Sequence, residues 1–220
     1  MIYHYQTISS GSEGTYQESG SKFLGYLVPV ESRGDIEHCL QELKELHPKA
    51  RHHCYAYRII DGHEVTEFSS DAGEPSGSAG LPILNELRRQ TLTNICAIVV
   101  RYFGGTKLGI PGLIHAYRAA TQDAIEAGSI IERERMVQFQ AEMPISLQPH
   151  FYKVCKQLNI DIAEPQYAQY FSAQITLPLE SQEARINQML SRLSGLDGES
   201  TVLTERIGLK LTHVTADQAT

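Results

Sequence analysis

The stretch IVVRYFGGTKLGIPGLIHAYRAA, Ile98–Ala120, decides how the chain folds. An apolar run ends in Arg101. Four glycines, Gly104, Gly105, Gly109 and Gly112, then fall within nine residues, and a helical pattern follows. A strand, a glycine loop and a helix in succession have two readings. One is an anion site, because glycines before a helix leave backbone N–H groups free and the helix dipole favours negative charge. Arg101 and Lys107 would strengthen such a site. The other is a packing corner, in which Gly109 and Gly112 let the helix lie close on the sheet. The two are compatible. A nucleotide-hydrolysing P-loop is not expected, because Ile110-Pro111 stands where that motif needs Lys-Ser/Thr.

The pattern extends outward on both sides. NICAIVVRYF is almost wholly apolar, as a central strand covered on both faces should be. Ile114, Tyr117, Thr121, Ala124 and Ile125 mark the buried stripe of the following helix, which Gly128 ends. Upstream, SKFLGYLVPV is a strand with Phe23 and Leu27 on one face and Leu24 and Tyr26 on the other. Ser32 and Asp35 form a capping box, with Asp in the place usual for Glu or Gln, for a helix carrying Ile36, Cys39, Leu40, Leu43 and Leu46; His47-Pro48 stops it. HHCYAYRII and EVTEFSS make a hairpin about Asp61-Gly62, and Leu81, Leu84 and Leu87 mark a short helix. The first dozen residues, polar and rich in glycine and serine, read as a frayed arm.

Beyond Arg135 the pattern restarts. A strand from Met136, a helix with Pro149 in its first turn, the extended IDIAEPQYAQ, the alternation of Phe171, Ala173, Ile175 and Leu177, a helix with Ile186, Met189, Leu190 and Leu193, and a strand over Val202–Leu211 give the order β-α-β-β-α-β. That is the split βαβ signature of a ferredoxin-like sandwich.

Two further clusters invite chemistry. In DAGEPSGSAG, Asp71 and Glu74 stand beside Ser76 and Ser78. They suit a second anion loop, acid–base work or a metal, and equally the turn geometry and capping that Asp, Ser and Gly supply. In RHHC, a strand would put His52 and Cys54 on one face and His53 on the other, so only two ligands share a side and no metal is expected. The four cysteines are far apart and read as free thiols.

The chain of 220 residues is 41% hydrophobic and 20% charged, with a net charge of −7. That sum argues against a general nucleic-acid coat. Between Pro75 and Gln122, however, Arg88, Arg89, Arg101, Lys107 and Arg118 face a single acid, Glu86, a local +4. No apolar run nears the ~20 residues that span a bilayer. Nothing at the N-terminus resembles an export signal, so a cytoplasmic protein without membrane contact is expected.

ARHHCYAYRI, FSSDAGEPSGSAGLPIL and AIVVRYFGGTKLGIPGLIHAYRAA, in this order and spacing, resemble the signature segments of the IMPACT family in its bacterial, YigZ-like form. The resemblance covers Lys22 to Gly128. It implies an α+β protein of two domains. Residues 1–135 would resemble domain IV of elongation factor G, a ribosomal-protein-like α/β fold shared with some small-molecule kinases. Residues 136–220 would resemble domain V of that factor, which is ferredoxin-like. Eukaryotic members of the family regulate a translational stress kinase by competing for its activator, through an extension that has no counterpart here. The expectation is a non-enzymatic, translation-associated regulator that binds RNA, the ribosome or a translation-related protein, with no cofactor. Arg101, Lys107, Arg118, Arg88 and Arg89 would contact phosphates beside Gly104, Gly105, Gly109 and Gly112. Tyr102 and Phe103, if exposed, would stack on bases. One alternative is a small-molecule or nucleotide-binding enzyme using the EPSGSAG and GGTKLG loops as phosphate sites, with Asp71, Glu74 and Arg101 as its reacting cluster. Another is a protein–protein interaction module.

Overall fold

Burial alternates along Ser21–Pro29 and Phe171–Pro178 and is unbroken from Ile95 to Arg101. The structure, a computed structural model, describes residues 1–196 and 200–214. The chain divides into two units, Met1–Arg133 and Glu134–Thr220. In the first run β1 (His4–Ile8), β2 (Ser12–Glu18), β3 (Ser21–Pro29), α1 (Arg33–Leu46), β4 (His52–Asp61), β5 (Glu64–Ser70), α2 (Gly80–Arg89), β6 (Ile95–Tyr102), α3 (Gly109–Ala127) and β7 (Ile130–Glu134). Five strands form one sheet in the order β2-β3-β6-β4-β5, and each neighbouring pair is antiparallel. β3 and β4 are therefore parallel to each other, split by β6 and joined over one face by α1.

The two faces make two cores, and β6 feeds both. Ala97 and Val99 pack with Phe23, Leu27, α2 and α3, while Cys96, Ile98 and Val100 pack with Ile36 and Leu43 of α1. A strand buried on both sides has no polar face, which is why its sequence reads as an unbroken apolar run. The capping box at α1 is present: Asp35 N–H donates to Ser32 Oγ at 3.2 Å and Ser32 N–H to Asp35 Oδ2 at 2.9 Å.

The packing corner is real but sits elsewhere than Gly109 and Gly112. α3 lies on β2 and β3 at two strand glycines. A Cβ on Gly25 would stand 2.4 Å from the Ala120 carbonyl oxygen, and one on Gly14 would stand 2.2 Å from the Ala124 nitrogen. At Gly112 a Cβ would meet only the Leu108 side chain, and Gly109 serves by its left-handed φ of +70°. Gly104 is the tight point of the loop, since a Cβ there would fall 1.8 Å from the carbonyl carbon of Gly20.

The N-terminal arm is not frayed. β1 pairs with β7, Thr93 N–H donates to the Gln6 carbonyl, Ser9 N–H donates to the Ser129 carbonyl, and Ile8 is fully buried. Polar composition hid a strand whose partners are distant in sequence. Leu46, Leu81 and Ile114 are exposed rather than buried, and Leu113, Ala116 and Ala120 complete the stripe of α3 in place of Ile114.

The second unit holds β8 (Met136–Met143), α4 (Gln148–Gln157), β9 (Asp161–Tyr167), β10 (Phe171–Pro178), α5 (Gln182–Ser194), α6 (Ser200–Ile207) and β11 (Lys210–His213). The sheet order β11-β8-β10-β9, all antiparallel, is a split βαβ arrangement. Phe171, Ala173, Ile175 and Leu177 point into one core with Phe151, Val154, Met189 and Leu190. The strand expected over Val202–Leu211 is corrected: the segment is helical through Ile207, and Gly208, at φ +68°, turns it into a short strand.

Gly25→Ala should destabilise the chain by about 1–3 kcal/mol, because the new methyl meets backbone that cannot yield. Gly112→Ala, which meets one side chain, should cost less. Urea denaturation midpoints in the reverse order would return the close contact to the helix start.

Candidate anion-binding site at the end of β6

Arg101 is the last inward residue of β6 on the face that carries α2 and α3. Pairing places it between Phe23 of β3 and His52 of β4. Only 7% of its surface is exposed, so its charge needs a partner. Glu74, from the loop between β5 and α2, supplies it: Arg101 Nη1 donates to Glu74 Oε1 at 2.7 Å. Tyr117 of α3 donates to the same oxygen at 2.8 Å. The Cys54 thiol lies 3.3 Å from the Tyr117 hydroxyl and 2.9 Å from the Asp71 carbonyl oxygen. Burial pushes the Cys54 thiol up to about 12 and the Tyr117 phenol well above its ordinary value, so neither ionises near neutral pH. The guanidinium lies over the rings of Phe23 and Phe103, at 5.4 and 5.5 Å, and its buried Nε has no partner among the described residues.

The EPSGSAG loop is already occupied by one of its own carboxylates. Asp71 Oδ2 accepts from Gly77 N–H at 2.8 Å, and Oδ1 accepts from Ala79 and Gly80 N–H at 2.9 Å each. α2 thus begins on Asp71, where a bound phosphate would have to sit. Burial raises this carboxyl and the three N–H bonds outweigh it, leaving it below its ordinary value. Ser78 is buried and donates to the Pro75 carbonyl at 2.6 Å, closing the turn, while Ser76 is exposed. Of the supposed reacting cluster, the structure brings Glu74 to Arg101 and commits Asp71 to the helix.

Folding pairs four of the five cations between Pro75 and Gln122. Arg88 pairs with Glu67, which also holds Arg58; Arg89 and Arg118 both pair with the buried Glu86; Arg101 pairs with Glu74. Glu67 and Glu74 precede the counted window, so the sequence sum leaves them out. Lys107 is exposed and has no carboxylate partner among the described residues.

The cations that do gather are others. Lys49, Arg51 and His52 join Arg101, Tyr102 and Phe103 around an open pocket of about 370 Å³. Lys49 and Arg51 are exposed, and neither has an ion pair among the described residues. The signal is legible in Pro48–His53, PKARHH, whose histidines draw the eye to metal ligation and away from its charge. The strand separates the RHHC ligands as expected. His52 Nδ1 is 3.0 Å from the Ala72 carbonyl oxygen, whereas His53 lies buried on the opposite face, where desolvation lowers its pKa. Phe103 is 58% exposed; the Tyr102 hydroxyl is 3.0 Å from His47 Nδ1 on the α1 side. The arrangement can hold an anion beside an aromatic ring.

Glu74→Ala should lower stability by about 3–5 kcal/mol, because it strands a buried guanidinium and a buried phenol together; an unchanged urea midpoint would show that the pair does not hold the loop. Asp71→Asn should cost about 1–2 kcal/mol at neutral pH. Because the carboxyl is held below its unfolded value, its contribution is present above that value and fades as pH falls through the folded one. The gap between wild type and variant should therefore close in acid, and a gap constant with pH would count against the carboxylate cap.

Residues 19–125 match the Impact N-terminal domain. The Bacillus subtilis IMPACT family member YvyE is 35% identical over 136 residues, 62% of each chain. A Haemophilus influenzae IMPACT family member is 34% identical over 180 residues, 79% of this chain and 83% of its own. Escherichia coli YigZ is 36% identical over 107 residues, 48% of this chain and 52% of its own. The chain thus spans 62% of the length of YvyE and about half that of YigZ. A solved hypothetical protein, 21% identical, overlays at a TM-score of 0.70 and covers 98% of this chain and 100% of its own, which shows a shared fold. The solved two-domain translational regulator Yih1 reaches a TM-score of 0.33 over 56% of this chain and 47% of its own, at 24% identity, too low for a structural argument. No helix of the described residues is long and apolar enough to cross a membrane. Matched across 83% of the Haemophilus relative at 34% identity, the chain belongs to the IMPACT family.

Proposed function

We propose that this IMPACT protein is a translation-associated regulator that binds RNA, free or ribosomal, at the end of its first sheet and performs no chemistry of its own. The observation that carries the reading is the convergence of Lys49, Arg51, His52 and Arg101 on one pocket, while Arg88, Arg89 and Arg118 are paired with Glu67 and Glu86. In a protein of net charge −7, a polyanion is repelled by the acidic surface and drawn to one where Lys49 and Arg51 stand without carboxylate partners among the described residues. Phe103 beside them offers a ring on which a base can stack. Regulation of translation by eukaryotic members of the family gives the setting, and the cytoplasm follows from it. The two units are then taken as counterparts of domains IV and V of elongation factor G.

The enzymatic alternative has less support. The serine-rich loop spends its N–H groups on Asp71, the Cys54 thiol and Tyr117 phenol stay neutral, and Glu74 is fixed by Arg101.

Anisotropy of a labelled single-stranded RNA across a salt series tests the reading. Each phosphate contact contributes about −0.7 to the slope of log K against log salt on single strands. Lys49→Ala with Arg51→Ala should weaken binding and flatten the slope by about 1.4. Arg88→Ala with Arg89→Ala should leave the slope alone. No binding at low salt, or a slope insensitive to Lys49 and Arg51, would remove the proposal.

A further inference from the structure

The pocket at the end of β6 has three features that a general RNA-tracking surface does not need. First, its back wall is fixed. Arg101 is 7% exposed, held by Glu74 and stacked against two phenylalanine rings, so this cation is pre-aimed, unlike a freely moving surface arginine. Its Nε is buried and has no partner among the described residues. Second, the charges do not cancel. Lys49, Arg51 and Arg101 set three permanent cations against Glu74, and the lining itself contains no carboxylate. A phosphodiester with one charge leaves that surplus standing, whereas a terminal phosphate monoester, near −2 at neutral pH, meets it. Third, the shape is a pocket of about 370 Å³ and not a track. Arg88 does not extend it along an RNA strand: its partner Glu67 stands opposite Arg58, which pairs with Ile95 at the other end of β6.

We infer that the pocket is a receptor for one phosphomonoester-bearing nucleotide, free or at the end of an RNA strand. Lys49, Arg51 and Arg101 receive the phosphate, and Phe103 receives the base. The inference takes the location of the site from the RNA reading above but does not need a polymer. Phe103 is suited to holding a base, since it is 58% exposed and its ring packs against the Arg101 guanidinium. Aromatic surface therefore remains for a base next to the phosphate donors.

Calorimetry on the full chain would compare adenosine 5′-monophosphate, inorganic phosphate and adenosine. It would also compare three RNA pentamers that differ only in bearing a 5′-phosphate, a 3′-phosphate or hydroxyls at both ends. The nucleotide should bind more tightly than phosphate, adenosine should not bind measurably, and one of the phosphorylated pentamers should bind at least tenfold more tightly than the hydroxyl form. Lys49→Ala with Arg51→Ala, both at the surface, should weaken nucleotide and phosphate alike by tenfold or more. Phe103→Ala should weaken the nucleotide and spare phosphate, and Lys107→Ala should change neither. Nucleotide binding without a pentamer preference assigns the site to free nucleotides; preference for one phosphorylated end assigns it to RNA termini. The inference is overturned if the nucleotide binds no better than adenosine, or if the Lys49 and Arg51 variant binds it as wild type does. Equal, salt-sensitive binding of all three pentamers with no nucleotide binding would sink this inference and leave the RNA reading intact. Nucleotide binding with no RNA binding at any salt would do the reverse.

Discussion

One carboxylate oxygen organises the first unit around its site. Glu74 Oε1 accepts from Arg101 of β6 and from Tyr117 of α3, and Tyr117 in turn meets Cys54 of β4. Two strands, a helix and the loop before α2 therefore converge on a point from which water is excluded. Such a pair gains little net stability over an apolar substitute, since desolvating two charges offsets most of their attraction. Its value is in position: the arginine cannot turn away, the loop cannot lift without stranding a charge, and the rim of the pocket inherits that rigidity.

The same logic explains how an acidic protein offers a cationic surface. Carboxylates are not spread evenly over the cations. Glu67 takes two arginines and Glu86 takes two more, each bridging elements of the fold. What stays unpaired is set by where these acids sit, and Lys49 and Arg51 at the pocket have no carboxylate partner among the described residues. Net charge then governs solubility and long-range repulsion, while the rim of the pocket sets a local field of its own.

How far the sequence can be read follows from the reach of each interaction. The apolar run of β6, the Asp61-Gly62 hairpin, the Ser32–Asp35 box and the alternation of β10 are local patterns, and each stands where expected. The cation pairing is illegible because Arg88 meets Glu67 across 21 positions and Arg101 meets Glu74 across 27, beyond any charge count in a window. The helix contacts of Gly14 and Gly25 are hidden for the same reason, and the glycines adjacent in sequence to α3 stand out in their place. Val202–Leu211 misleads differently. Its β-branched and apolar residues suit either state, and only the break at Gly208 separates helix from strand. The pocket itself is within reach of the sequence once PKARHH is read for charge.

The pairing of β1 with β7 bears on how the unit comes to exist as well as on how it stands. His4–Ile8, the first strand of the unit to be synthesised, bonds to the last, Ile130–Glu134. Closing so long a loop is slow and adds little until both ends are present. During synthesis, therefore, Ile8 has no complete site to enter until the whole unit has emerged. The molecule is finished like a clasped belt: its sheet can form early, but its seam shuts only when the first strand meets the segment that leads out of the unit.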